Sequence, residues 1–117
     1  CADIKKATCY AFSSLRNYMY YAVDGTIYRV DLSEKPLKAE KQIALSGEKI
    51  TMMKFNLYQN SASIHDYDLV VASEKGGEGT LRIYNGFVSE GDFSAVKPKS
   101  YTGFAKIVDA TYRERTN

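Results

Sequence analysis

One seven-residue pattern recurs three times along the chain and constrains every fold it can adopt. Lys6-Ala7-Thr8-Cys9-Tyr10-Ala11-Phe12 lines up with Lys49-Ile50-Thr51-Met52-Met53-Lys54-Phe55 forty-three residues later. Lys106-Ile107-Val108-Asp109-Ala110-Thr111-Tyr112 follows after a further fifty-seven. Two short runs rich in Tyr, Val, Ile and Thr follow each of the first two copies. They are Tyr18 to Val23 with Thr26-Ile27-Tyr28, and Tyr67 to Ala72 with Thr80-Leu81-Arg82. A more polar segment closes each unit, near Lys38 to Leu45 and near Ala95 to Thr102. No stretch sustains apolar spacing at i, i+3, i+4 and i+7 over three turns, so helices are not expected. Four short strands repeating at about 40–55 residues is the pattern of β-propeller blades.

The expected fold is all-β, made of antiparallel four-stranded blades. Two propeller blades, at about 7–45 and about 49–102, are followed by one extra inner strand at about 106–112. Asp24-Gly25 separates the first strand pair and is a dipeptide favoured in two-residue type I′ hairpins, where both turn positions take positive φ. The second pair, Tyr67 to Ser73 and Thr80 to Asn85, spans a longer loop from Glu74 to Gly79. The recurring Lys-x-Thr strand carries apolar or small residues on both faces, as an inner strand buried between blades requires. A third inner strand without outer partners would be an exposed, aggregation-prone edge. The expectation is therefore that these residues form the C-terminal end of a longer propeller. Assembly of two-blade chains with one another is the alternative.

Composition narrows the function classes. Sixteen Lys and Arg against fourteen Asp and Glu give a net charge of +2, which does not mark a nucleic-acid or membrane-surface binder. The longest apolar run, Tyr18 to Val23, falls far short of the roughly 20 residues of a transmembrane helix, so no such segment is expected. Of the two cysteines, Cys1 and Cys9 either bridge or act as small buried hydrophobes. Cys1 reads either as the lipidated terminus of a processed lipoprotein or as a truncation point. The repeat count favours truncation.

Candidate chemistry is sparse. His65 lies in Ser61-Ala62-Ser63-Ile64-His65-Asp66, where no Gly-x-Ser-x-Gly elbow accompanies it, so no catalytic triad is expected. One histidine and two cysteines offer no zinc-ligand spacing, and neither a metal nor a cofactor is expected. Asp66 and Asp68 would share a face of an extended strand, which suits either one side of a calcium site or a charged strand edge. The glycines between Glu74 and Gly79 join two strands rather than opening a helix, unlike a phosphate-binding loop. Ten Tyr and five Phe without Trp are the most suggestive feature. Tyr18, Tyr20, Tyr28 and Tyr84 suit packing between blades, and equally stacking against sugar rings at a propeller rim. Asp109 interrupts an apolar inner strand and would place a carboxylate near a central channel, facing a ligand or solvating the channel.

The runs Tyr20 to Asp31, Gly47 to Phe55, Gly79 to Tyr84 and Tyr101 to Glu114 together resemble the C-terminal propeller region of PKD-like lipoproteins of Bacteroidetes. The resemblance extends from about Ala7 to Glu114 and rests on strand and turn signatures. It implies a longer parent with a lipid anchor and upstream PKD-like domains. It also implies a place at the outer-membrane surface or in the periplasm, often beside transporter subunits. It carries no catalytic residues. The expected function is thus a non-catalytic binding or scaffold module, accessory to glycan or peptide capture and uptake. Its partners would be the rest of a propeller or further copies of the chain, with transporter subunits or glycan beside them. The alternatives are an oligomeric two-blade lectin, or part of a propeller enzyme whose active site lies in blades beyond this sequence.

Overall fold

A computed structural model describes residues 4–13, 17–57, 67–85 and 92–104. Among these residues, apart from a single 3₁₀ turn at Ile4–Lys6, every regular element is a strand. β1 (Cys9–Phe12), β2 (Tyr18–Val23), β3 (Thr26–Asp31) and β4 (Ala39–Ala44) form one antiparallel sheet in chain order. β5 (Lys49–Leu57), β6 (Tyr67–Lys75), β7 (Glu78–Asn85) and β8 (Lys99–Phe104) form the second in the same way. The chain is all-β, as its alternating short runs dictate, and neither sheet closes on itself. The third inner-strand copy lies outside the described residues.

The strand registers of the two sheets correspond. Cys9 pairs with Ala22 where Met52 pairs with Ala72, and Phe12 pairs with Met19 where Phe55 pairs with Leu69. Because successive residues face opposite sides of a strand, each sheet has two distinguishable faces. The front carries Tyr10, Phe12, Met19, Tyr21, Tyr28 and Val30 in the first sheet. At corresponding positions the front of the second carries Met53, Phe55, Leu69, Val71, Arg82 and Tyr84. The back carries Cys9, Ala11, Tyr20, Ala22 and Ile27 in the first sheet, and Met52, Lys54, Val70, Ala72 and Leu81 in the second.

The main core forms between the back of the first sheet and the front of the second. Ala11, Tyr20, Ala22, Ile27 and Ile43 meet Ile50, Met53, Leu69, Val71 and Tyr84 there. The sheets are therefore stacked head to tail, with unlike faces in contact. Phe93, from the segment between β7 and β8, inserts between them and is 1% exposed. Its ring lies edge-on to Tyr20 at 5.8 Å and to Tyr84 at 6.5 Å, and Tyr20 meets Phe55 at 5.2 Å. Edge-to-face aromatic pairs of this kind add about 0.5–1.5 kcal/mol each beyond the area they bury. The Phe93 N–H donates to Gln42 Oε1 at 2.8 Å, so the buried amide of an irregular segment is satisfied by β4.

The two hairpins correct the sequence reading in instructive ways. In the first, only Asp24 adopts positive φ, at 52°. Gly25 is required for another reason, because a Cβ there would lie 2.3 Å from the Leu45 carbonyl oxygen and 2.6 Å from that of Glu48. This close approach lets the turn bind the β4–β5 connection. The Leu45 N–H donates to the Gly25 carbonyl and the Ile50 N–H to the Asp24 carbonyl, both at 2.7 Å. From the other side, the Thr8 hydroxyl donates to the Ile50 carbonyl at 3.2 Å. In the second hairpin there is no six-residue loop. β6 and β7 run on until Lys75 pairs with Glu78, leaving Gly76 and Gly77 as a two-residue turn with φ of 59° and 87°. Positive φ at both positions is what a type I′ turn demands and glycine supplies without strain.

Candidate functional site

The structure separates the tyrosines that the sequence groups together. Tyr20 is fully buried and Tyr84 is 3% exposed, both within the core between the sheets. Burial pushes the Tyr84 hydroxyl above the ordinary tyrosine pKa. These two pack the fold and have no surface to offer a ligand. Tyr18 sits at the margin of the same space, half-buried, with the Arg29 guanidinium 4.6 Å above its ring. Tyr28 lies on the opposite face of that sheet, stacked on the fully buried Tyr21 at 5.2 Å. Tyr18 and Tyr28 therefore cannot line one patch. Asp109 lies outside the described residues, as do His65 with its neighbouring serines, Asp66 and Cys1.

Two features that the sequence reading passed over are better built. The first is the β1 edge of the first sheet's front, where Tyr10 is 49% and Phe12 64% exposed and the buried Tyr21 separates Tyr10 from Tyr28. Its signal is alternation, since Tyr10 and Phe12 stand on the same face of an extended strand. Phe12 is the counterpart of Phe55, which packs against the first sheet's core.

The second is a polar cluster at the seam between the hairpins. Arg82 donates from Nη1 to Glu48 Oε1 at 2.8 Å and from Nη2 to Oε2 at 3.0 Å. The Ser73 hydroxyl donates to Glu48 Oε1 at 2.7 Å and accepts from Arg82 Nη1 at 3.0 Å. The two charged side chains are 17% and 14% exposed, which strengthens a two-point contact of this kind. The Arg82 contact, reinforced by Ser73 and by the charge of Lys75, holds the Glu48 carboxyl below the usual glutamate range. Lys75, Gly76, Glu78 and Thr80 complete an open cleft of about 390 Å³ around the pair. Arg82 and Glu48 neutralise each other, so the cleft is polar without a net field for steering an ion. The cluster locks β7 to the β4–β5 connection.

The remaining candidates resolve simply. Asp68 is 2% exposed within β6 and is not a solvated strand edge. Cys9 is a free thiol, and burial raises its pKa despite a contact from the Thr8 hydroxyl, which makes it a poor nucleophile. Among the described residues no group of three or more His, Cys, Asp or Glu gathers to hold a metal ion. No helix among them is long and apolar enough to cross a membrane. Compared with known proteins, the chain matches no family model, no curated protein and no solved structure, so no catalytic family is assigned to it.

Proposed function

We propose that the chain is a binding and scaffold module built from propeller-type blades, in which sheets of one kind stack in one direction to present a continuous surface. The observation that carries this reading is the head-to-tail contact, back of the first sheet on front of the second. A sandwich buries two like inner faces and is then complete. A head-to-tail stack always leaves one front and one back unspent, and such an arrangement either closes into a ring or continues. The β1 edge of the first sheet's front, where Tyr10 and Phe12 are exposed, is the surface on which a further blade back would pack. The resemblance to PKD-like lipoproteins supports placing the module on a lipid-anchored protein at the bacterial outer membrane, accessory to glycan or peptide capture.

The test is mass, denatured and then native, of the protein from its source. A denatured mass well above 13.1 kDa supports further blades in the same polypeptide. A denatured mass of 13.1 kDa with a native mass several times larger supports a ring of copies, the lectin-like form of the same reading. A stable monomer of 13.1 kDa in both states contradicts it.

A further inference from the structure

The two hairpins act as controls for one another, and the second carries polar chemistry that the first does without. On the front of the second sheet the paired positions run Leu69–Tyr84, Val71–Arg82, Ser73–Thr80 and Lys75–Glu78 towards the turn. The first sheet has Met19–Val30, Tyr21–Tyr28 and Val23–Thr26 at the first three of these and then turns at Asp24-Gly25. Ser73 and Arg82 thus stand where the first hairpin has Val23 and Tyr28, and Lys75 and Glu78 have no counterpart. A hairpin of this kind closes and packs without these four groups. Nor are they all ordinary surface residues: Ser73 is fully buried, and Arg82 and Glu48 are ordered against each other and against it.

We propose that the cleft of about 390 Å³ lined by Glu48, Lys75, Gly76, Glu78, Thr80 and Arg82 is a binding site for a neutral saccharide. The proposal rests on the binding-module reading and gives it a site and a ligand class. Two cations and two carboxylates line the cleft, so it selects for neither sign of charge. Instead it sets donors beside acceptors. The Lys75 ammonium lies over Gly47, 3.6 Å from where a Cβ there would stand, and next to Glu48 in the chain. Three of the five guanidinium N–H groups of Arg82 go to Glu48 and Ser73, and the others remain for a ligand. A hydroxyl both donates and accepts, so neighbouring sugar hydroxyls can bridge a carboxylate and a cation at once. Bound peptides use open strand edges or apolar grooves. This lining offers the faces of two paired strands and no large apolar side chain. The guanidinium and carboxylate are fixed before any ligand arrives, which lowers the ordering cost of binding.

Maltose, cellobiose and lactose, titrated to high millimolar concentration into the ¹⁵N-labelled full chain, provide the test. At least one is expected to shift the Gly76 and Thr80 amides and the Arg82 guanidinium saturably, while glutarate, a dicarboxylate, does not. Lys75→Met and Glu78→Gln alter exposed side chains at the cleft. Each is expected to weaken the saccharide about threefold to tenfold, the worth of one hydrogen bond, with the thermal midpoint unmoved. Lys41→Gln, on the exposed part of β4, is expected to change neither. Saturable shifts confined to Tyr10 and Phe12 overturn this site and leave the binding-module reading standing. Shifts at the cleft with glutarate alone overturn the ligand class. Absence of saturable shifts with all three sugars, or equal affinity in both cleft variants and the parent, overturns the proposal outright. Native mass decides the stacked-module reading separately in every case.

Discussion

Arg82 holds Glu48 through two hydrogen bonds of 2.8 and 3.0 Å across the seam where the two sheets meet. The pair joins β7 to the turn residues that carry the chain from the first sheet to the second, so it reports on the integrity of that junction. Glu48 has its pKa lowered in the folded protein, chiefly by Arg82. A carboxylate of this kind contributes stability that is present above its unfolded pKa and lost as pH falls through the folded value. Glu48→Gln is therefore expected to cost about 1–2 kcal/mol near neutrality and to flatten the stability profile between roughly pH 5 and pH 3. Urea midpoints across that range, compared with the parent chain, measure both effects. The Arg29–Glu40 pair offers a contrast, because Glu40 is 60% exposed. Glu40→Gln is expected to change stability by less than about 0.5 kcal/mol.

Gly25 and Gly76 both sit in hairpin turns, yet they answer to different demands. An alanine at Gly25 meets backbone oxygens at 2.3 and 2.6 Å, which only movement of the β4–β5 connection relieves. Gly25→Ala is expected to destabilise by about 2–3 kcal/mol. At Gly76 nothing lies within 4 Å, and the difficulty is φ alone. Gly76→Ala is expected to cost about 1 kcal/mol. Chemical denaturation of the two single variants checks the order; a larger loss at Gly76 contradicts the close packing at Gly25.

Phe93 and Gln42 form one unit, since the side chain of the first fills the gap between sheets and the second satisfies its amide. Phe93→Ala is expected to cost about 3–5 kcal/mol through the cavity it leaves. Gln42→Leu is expected to cost about 1–3 kcal/mol by orphaning a buried N–H. The double variant should lose less than the sum, because residues in contact do not act independently. Thermal or urea unfolding of the four proteins gives the coupling.

Tyr10 and Phe12 are exposed and contribute little to the chain's own core. Replacing both with Ser is expected to leave unfolding stability within about 1 kcal/mol. The same change should abolish packing of a further blade on the first sheet. Native mass spectrometry or light scattering reads the second effect in any assembly the parent chain forms.

Much of this fold was legible in the sequence. The repeat from Lys6 and Lys49 marked where β1 and β5 lie, and Asp24-Gly25 marked a hairpin, because local turn chemistry and strand alternation are written in neighbouring residues. The role of Gly25 was not legible, since it depends on the approach of Leu45 and Glu48. Phe93 was also hidden, as it sits in an irregular segment and its amide partner is 51 residues away. Sugar stacking and inter-blade packing ask for the same side chains, so sequence could not divide the tyrosines. Burial places Tyr20 and Tyr84 in the core and leaves Tyr10 and Phe12 at the surface. The Glu48–Arg82 pair had no sequence signature, because it joins a connection to a strand 34 residues on.

The most direct test of the stacking is which rings and methyl groups touch across the two sheets, read by nuclear Overhauser contacts in the labelled full chain. Head-to-tail packing predicts contacts from the Tyr20 ring to Phe55 and Phe93, whose centroids lie 5.2 and 5.8 Å away. It predicts none from Tyr20 to Val70, which lies on the far side of the second sheet. Contacts between Tyr20 and Val70, with those to Phe55 missing, would mean that like faces meet as in a closed sandwich, and the blade reading would fall.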